Sequence, residues 1–230
     1  MVKHEIMGKS QLTAEQMKQF LLSKNPIPSI GGMDILEFCQ LYIEEGEAEG
    51  VRGDYAFAQS CYETGYFKFG NSVLPQQNNY AGIGATNNSS IGKGAWFDSQ
   101  RKGVRAQIQH LKAYASYDRL NQEYADPRFK YVTRGSAQYL EDLAGKWAVP
   151  GYPDKYSNYE EAYKNGETYG QKILSIYNQI AKVFVKPEED NNVVENNNNE
   201  QDRIDNKEIS KNFLNSILGL FGKILGIRKK

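Results

Sequence analysis

Apolar residues recur at helical spacing along most of the first 185 residues, and each such stretch predicts a helix. The first follows Thr13, which with Gln16 fits a capping box, and it stops before Pro26. The next begins after Asp34, a residue type that caps helices. Further helices are predicted over Val104–Ala115, Ser136–Leu143 and Tyr159–Val185.

The chain is organised around Asp54–Gly70, DYAFAQSCYETGYFKFG. This stretch predicts a short helix with Asp54 as its cap, apolar on most sides and therefore inside a core. Glu63 lies near its end, with Gln59 one helical turn before it and Tyr66 one turn after it. A carboxyl group among aromatic rings loses hydration, so its pKa should rise, as a general acid requires. The alternative is a helix-end Glu that pairs with an Arg or caps a loop.

The following stretch, Asn71–Ser90, is rich in Asn, Gln and Gly and low in charge. Such a composition favours turns and irregular backbone, and Ile91–Phe97 leaves room for a short β-hairpin. Neutral polar groups beside aromatic rings suit a sugar better than a phosphate or a cation. The pattern therefore indicates a carbohydrate-binding loop next to Glu63.

Several ordered motifs resemble the glucosaminidase domain of glycoside hydrolase family 73, most closely its clostridial and phage-borne members. The resemblance implies a mainly α (α+β), lysozyme-like fold and cleavage of peptidoglycan after N-acetylglucosamine. A muramidase or lytic transglycosylase of the same fold, and a wall-binding module without activity, remain alternatives. The motifs are ETGYFKFG, QQNNYAGIGAT, GVRAQIQHLKAYA, DPRF, GKWAVPGY and YGQKI.

The resemblance also implies roles for individual residues. Glu63 matches the family's catalytic Glu and is expected to be the general acid. Trp147 stands where relatives often carry a Tyr, and Tyr152 is the expected source of the missing phenol hydroxyl. The expected substrate-binding residues are Gln59, Tyr66, Asn79, Tyr80, Gly82, Trp147 and Tyr152.

The second catalytic group is left open. Many relatives carry a second acid on a hairpin, but Ala85–Trp96 contains no Asp or Glu, and the first acid beyond it is Asp98. Asp98 is a candidate base that would hold a water in an inverting reaction, or a cap for the helix that begins near Lys102. A third route uses the substrate's own N-acetyl carbonyl and needs no second carboxylate.

Composition and spacing argue against several classes of ligand. The formal net charge is zero, so no global field favours nucleic acid. No Cys/His cluster has metal-ligand spacing and no Gly-rich phosphate loop carries its Lys, so neither a metal nor a cofactor is expected. Cys39 and Cys61 are predicted to be free core thiols, and His110 a packed histidine rather than a base.

Composition also divides the chain into a catalytic domain (1–186), an acidic, Asn-rich linker (187–209) and an amphipathic, basic C-terminal helix (210–230). This last segment predicts membrane or envelope contact, with self-association as the alternative. The N-terminus lacks the apolar run of a secretion signal. A protein that acts on peptidoglycan glycan strands would then reach the wall by holin release, within a phage particle, or by another non-classical route.

Overall fold

The computed structural model describes residues 3–70, 72–85 and 90–185, and within these ranges the chain is mainly helical. This confirms the predicted fold class, while the linker and the C-terminal segment lie outside the described residues. None of the described helices has the length and hydropathy needed to cross a bilayer. In this part of the chain the α-helices are α1 (Ala14–Lys24), α2 (Ile35–Glu49), α3 (Gly53–Glu63), α4 (Gln100–Ala115), α5 (Tyr159–Lys164) and α6 (Tyr169–Ile180).

The predicted caps of the first two helices are confirmed. At the start of α1, the Thr13 hydroxyl accepts from Gln16 N and the Gln16 side chain accepts from Thr13 N, which completes the capping box. At the start of α2, Asp34 Oδ1 accepts from the backbone N–H of Leu36 and Glu37. Local sequence was sufficient here because a cap involves only residues three positions apart.

Helix α3 lies at the centre of the fold, and every residue from Gly53 to Cys61 is buried. It packs against α2 and α6. A Cβ atom at Gly53 would lie 1.9 Å from the Tyr42 carbonyl oxygen, so only glycine lets α3 begin this close to α2. The buried position of α3 is what carries Glu63, its last residue, to the edge of the core.

Aromatic rings fill the space between α2, α3 and the chain that follows Glu63. Phe38 is edge-on to Tyr42, Phe67 and Tyr80, with ring centroids 5.0 to 5.5 Å apart. Phe57 packs on Tyr42 at 5.3 Å. Edge-to-face pairs at these distances add to the hydrophobic stabilisation, so this cluster anchors the turn after α3.

Ion pairs join α2 to α4. The carboxylate of Glu45 accepts from Arg101 and Arg105, each at 2.8 Å, and the buried Glu49 pairs with the buried Lys112 at 2.8 Å. The guanidinium groups lower the pKa of Glu45 against the opposing effect of burial. These acids therefore stabilise the helix pair.

Asp54 does not cap α3 as predicted, because Arg52 occupies the N-cap position. The fully buried Asp54 carboxylate forms two bonds to the Arg52 guanidinium, at 2.8 and 2.7 Å. It also accepts from the backbone N–H of Gln11 and Leu12. Asp54 thus fixes the N-terminal segment against the start of the central helix.

Three other element predictions differ from the structure. The described residues of 91–97 form no strand; single backbone bonds such as Ala95 N to Ile83 O hold them as a loop. The helix expected from Ser136 is reduced to the 3₁₀ turn Leu140–Leu143. The last helix is two, α5 and α6, because Gly166 takes a left-handed conformation (φ 72°) and Thr168 begins a new capping box.

Candidate active site

The C-terminal end of α3 opens into a cleft of about 1190 Å³. Five of the expected site residues line this cleft: Glu63, Asn79, Gly82, Trp147 and Tyr152. Tyr169, at the start of α6, lies on its floor. The structure thus brings together residues that are far apart in sequence and places aromatic and neutral polar groups in the same cleft as Glu63, as expected for a sugar site.

Glu63 is partly buried, and the Tyr169 hydroxyl donates to its Oε1. Burial raises the pKa of Glu63 above its ordinary value. The polar groups of Tyr169 and, to a smaller extent, Trp147 favour the charged form and oppose that rise without cancelling it. The carboxyl group therefore holds its proton to a higher pH than an exposed Glu does.

The turn after Glu63 is tightly specified. Thr64 Oγ1 donates to Ser60 O at 2.6 Å and accepts from Phe67 N at 2.8 Å. Tyr66 and Phe67 both have positive φ, 61° and 57°, which costs energy for residues other than glycine. Full burial of the Phe67 ring in the aromatic cluster holds this conformation. The turn ends α3 abruptly, so Glu63 is presented at the helix end.

Asn79 holds the loop that forms one wall of the cleft. Its Nδ2 donates to the carbonyl oxygens of Ile83 (2.9 Å) and Ala95 (3.2 Å), and its Oδ1 accepts from Ile83 N at 2.9 Å. Its side-chain amide is thereby engaged by the loop backbone. Gly82, at the tip, has φ 65°, and a Cβ atom there would meet no atom within 4 Å. The backbone at Gly82 is thus open to an approaching ligand.

Trp147 is supported from behind. Its ring packs edge-on against His110, at 4.7 Å, and near Tyr114, at 5.9 Å. His110 is in turn held by the fully buried Asp126, with 2.7 Å between Nδ1 and Oδ2. His110 is thus a packed histidine, as predicted, and it acts as a buttress for the indole. Tyr152 follows on the same cleft segment and is partly exposed.

Three other expected binding residues do not line the cleft. Tyr80 is only 1% exposed and its ring packs on Phe38, so it has no free face on which a sugar could stack. Tyr66 points to the other side of its turn and packs edge-on against Phe20. Gln59 lies beneath the floor, where its Nε2 donates to the Tyr169 hydroxyl at 2.9 Å.

Asp98 lies apart from the cleft. Its side chain is 85% exposed and pairs with Lys102 at 2.6 Å. Nor does it cap α4, because Ser99 is the N-cap and its hydroxyl accepts from Lys102 N. Within the described ranges, the carboxylates that share the cleft with Glu63 are those of Asp154 and Glu167. Glu167 is paired with Lys172 at 2.8 Å.

Sequence reasoning missed Tyr169, Asp154 and Glu167 as residues of the site. Tyr169 is the first residue of the YGQKI motif, but it is 106 positions from Glu63, and no local pattern links the two. Asp154 and Glu167 lie before and after α5, and no local pattern links either residue to Glu63. Among the described residues, no group of three His, Cys, Asp or Glu side chains is placed to hold a metal ion.

Comparison with known proteins points the same way as this geometry. The model of the Glucosaminidase family, described as mannosyl-glycoprotein endo-β-N-acetylglucosaminidase, matches residues 39–182. That range includes the central helix, the loop around Asn79, Trp147 and Tyr169. An uncharacterized protein of Borreliella burgdorferi is 43% identical over 148 residues, which is 64% of this chain and 70% of that protein.

Proposed function

Because the chain belongs to the Glucosaminidase family of glycoside hydrolases, we propose that it is an endo-β-N-acetylglucosaminidase of peptidoglycan with Glu63 as its general acid. The observation that carries the proposal is the Glu63 carboxyl at the edge of the cleft, where burial raises its pKa. A glycosidic oxygen is a poor leaving group until it is protonated, so a carboxyl group whose pKa is raised supplies what the reaction needs.

The surroundings of Glu63 support a glycan as the ligand. Trp147 and Tyr152 offer aromatic surface on one segment, and Gly82 leaves room for the opposite wall to approach a ring. In the reaction, Glu63 would protonate the oxygen of the β-1,4 bond as it breaks. The Tyr169 hydroxyl, with a smaller contribution from the Trp147 side chain, would then stabilise the carboxylate that remains.

For the second group, we propose the N-acetyl carbonyl of the substrate. Two features support this route: Asp98 is solvent-exposed and ion-paired, and Glu167 is bound to Lys172. Asp154 is the competing candidate, because its carboxylate shares the cleft with Glu63. Tight binding of an N-acetylglucosamine thiazoline, with near-normal activity of Asp154→Asn, supports the N-acetyl route, whereas weak thiazoline binding and an inactive Asp154→Asn refute it.

Product ends test the proposed reaction. Purified peptidoglycan would be digested, reduced with borohydride and analysed by mass spectrometry. New N-acetylglucosamine reducing ends support the proposal, whereas muramic-acid or anhydro-muramic ends would identify a muramidase or transglycosylase. Glu63→Gln should bind the wall without cutting it. Failure of the unsubstituted protein to cut any wall preparation would favour the wall-binding module.

The C-terminal segment, residues 210–230, is proposed as a membrane or envelope contact of a phage or prophage lysin. Its sequence combines Leu, Ile and Phe with a basic end, which suits anionic headgroups. Co-sedimentation with anionic vesicles should require this segment and should weaken as salt increases. If the full chain ignores such vesicles but forms oligomers that a chain ending at residue 187 does not form, the segment mediates self-association instead.

A further inference from the structure

A chain of buried hydrogen bonds runs beneath the cleft from α4 to Glu63. Gln107 Nε2 donates to Gln59 Oε1 at 2.8 Å, and Gln59 Nε2 donates to the Tyr169 hydroxyl oxygen at 2.9 Å. The hydroxyl then donates to Glu63 Oε1. Gln59 and Gln107 are 1% and 0% exposed, so water does not compete for these bonds. In such a buried network every donor must face an acceptor, so one arrangement of the protons is favoured.

The direction of this chain is set by a backbone carbonyl. Gln107 Nε2 also contacts the Ala56 carbonyl oxygen at 2.9 Å, and a carbonyl oxygen can only accept. The nitrogen of Gln107 must therefore lie on that side. Its oxygen faces the other way and accepts from Ser60 Oγ at 2.7 Å. The amide of Gln107 cannot be turned over without placing two acceptors against each other.

The same logic fixes the next two groups. Since Gln107 presents N–H, the atom of Gln59 that meets it must be the oxygen, and the Gln59 amide nitrogen must face Tyr169. The Tyr169 oxygen thus accepts from Gln59, and its single hydrogen is left for Glu63. Burial and the charge of Glu63 raise the pKa of Tyr169 well above its ordinary value, so the phenol keeps that hydrogen.

We propose that Gln59 and Gln107 are positioning residues that make Tyr169 donate to Glu63 Oε1 and thereby place the catalytic proton on Glu63 Oε2. This inference rests on the proposed function, because it concerns the same acid. An oxygen that already accepts a hydrogen bond from a fixed donor is a poor site for a proton. The protonated oxygen is then always the same one, and no rearrangement of the carboxyl group is needed before transfer to the glycan.

The test is a pH titration of Glu63, monitored by NMR of protein labelled with ¹³C at the glutamate carboxyl carbons. The Glu63 signal is assigned as the one that disappears in Glu63→Gln. In Tyr169→Phe the carboxylate loses a donor, so the pKa of Glu63 should rise by about one unit. If Tyr169 instead accepted a proton from Glu63, the same variant would lower that pKa. An unchanged or lowered value overturns the proposed direction.

Gln59→Met separates the positioning role from that of the hydroxyl. Tyr169 remains, but its hydrogen can turn, so the neutral form of Glu63 gains a second arrangement and its pKa should rise less than in Tyr169→Phe. Gln107→Met breaks the same chain one step earlier and should shift the pKa in the same direction. If both methionine variants fold and the pKa of Glu63 in each equals the wild-type value, the positioning roles are overturned. Tyr177→Phe, the same substitution two turns along α6, is the matched control and should shift nothing.

Other ionisable groups near Glu63 are unchanged in all these variants. They are Tyr62, the Glu167–Lys172 pair near that ring, and Asp154 in the cleft lining. Near-ultraviolet circular dichroism checks folding. The titration does not require turnover, so it also distinguishes two failures. A Glu63→Gln protein that still cuts the wall refutes the proposed function, whereas unshifted titrations refute only the positioning roles of Gln59 and Gln107.

Discussion

The two walls of the cleft are built in different ways. On the helical side, Glu63 and Tyr169 belong to α3 and α6, and their polar atoms are joined to the buried amides of Gln59 and Gln107. On the loop side, Gly82 and Tyr152 belong to irregular segments: a Cβ atom at Gly82 would meet open space, and Tyr152 is partly exposed. Fixed geometry suits the step that transfers a proton, and open backbone suits a polymer that must enter and leave. The contrast indicates that the helical wall carries out proton transfer and that the loop wall accommodates the glycan.

A matched pair of glycine substitutions should show this contrast most strongly. In Gly53→Ala, the new Cβ would lie 1.9 Å from the Tyr42 carbonyl oxygen, so α2 and α3 must separate. We expect a loss of about 3 kcal/mol in the free energy of unfolding, measured by urea denaturation.

Gly82→Ala is the loop-side partner of this pair. The added Cβ meets no atom within 4 Å, but φ is 65°, so only the backbone strain of about 1 kcal/mol is expected. Wall cutting should decline through a higher KM because the methyl group faces the glycan. Equal losses of stability in the two variants would contradict the division between a packed wall and an open wall.

Trp147→Phe tests whether the Trp147 side chain contributes to the chemistry of Glu63 as well as to packing. The variant keeps an aromatic ring against His110 but removes the indole N–H, which favours the charged form of Glu63. We therefore expect kcat to fall about tenfold and the pKa of Glu63 to rise. Trp96→Phe is the matched control, since Trp96 is exposed and its indole donates to Gly92 O. A normal rate in Trp147→Phe would limit this residue to packing.

Stability should depend on pH through Glu63. Burial raises the pKa of Glu63 in the folded state, so the folded protein binds more protons than the unfolded chain between the ordinary and the raised values. Wild-type stability should therefore fall as the pH rises across that window, whereas Glu63→Gln should lack this component. In thermal unfolding, the stability of Glu63→Gln relative to wild type should therefore increase toward high pH. A relative stability that is instead largest at low pH would contradict a raised pKa for Glu63.

Asp98→Asn should have the smallest effect. Its side chain is 85% exposed and its pair with Lys102 lies on the surface, where ion pairs contribute little. Cutting and melting temperature should both stay near wild type, in contrast to Glu63→Gln. A loss of activity by orders of magnitude, with recovery in azide, would restore Asp98 as the base of an inverting reaction.

The sequence predicted those parts of the molecule that depend on near neighbours. The caps at Thr13 and Asp34 were recoverable because donor and acceptor lie within one turn. Asp54 was misassigned because a cap and a second-position acid look alike in sequence. Its role is set by Arg52 and by a segment 43 residues away.

The site was predictable only in part. Motif resemblance located Glu63, Asn79, Gly82, Trp147 and Tyr152 in what proved to be one cleft. It could not separate a cleft aromatic from a core aromatic, so Tyr80 is expected to bind substrate although its ring is buried. The contact of Tyr169 with Glu63 depends on how α6 packs on α3, and no spacing in the chain encodes that.

The central claim is that Glu63 donates a proton to the leaving oxygen, and leaving-group dependence tests it most directly. Rates of wild type and Glu63→Gln would be compared on chitooligosaccharides with a sugar leaving group and with a dinitrophenyl leaving group, which departs without protonation. We predict that Glu63→Gln loses about 10²-fold to 10⁴-fold on the sugar leaving group. It should lose far less on the dinitrophenyl substrate. Equal losses on both substrates would contradict the role of Glu63 as general acid.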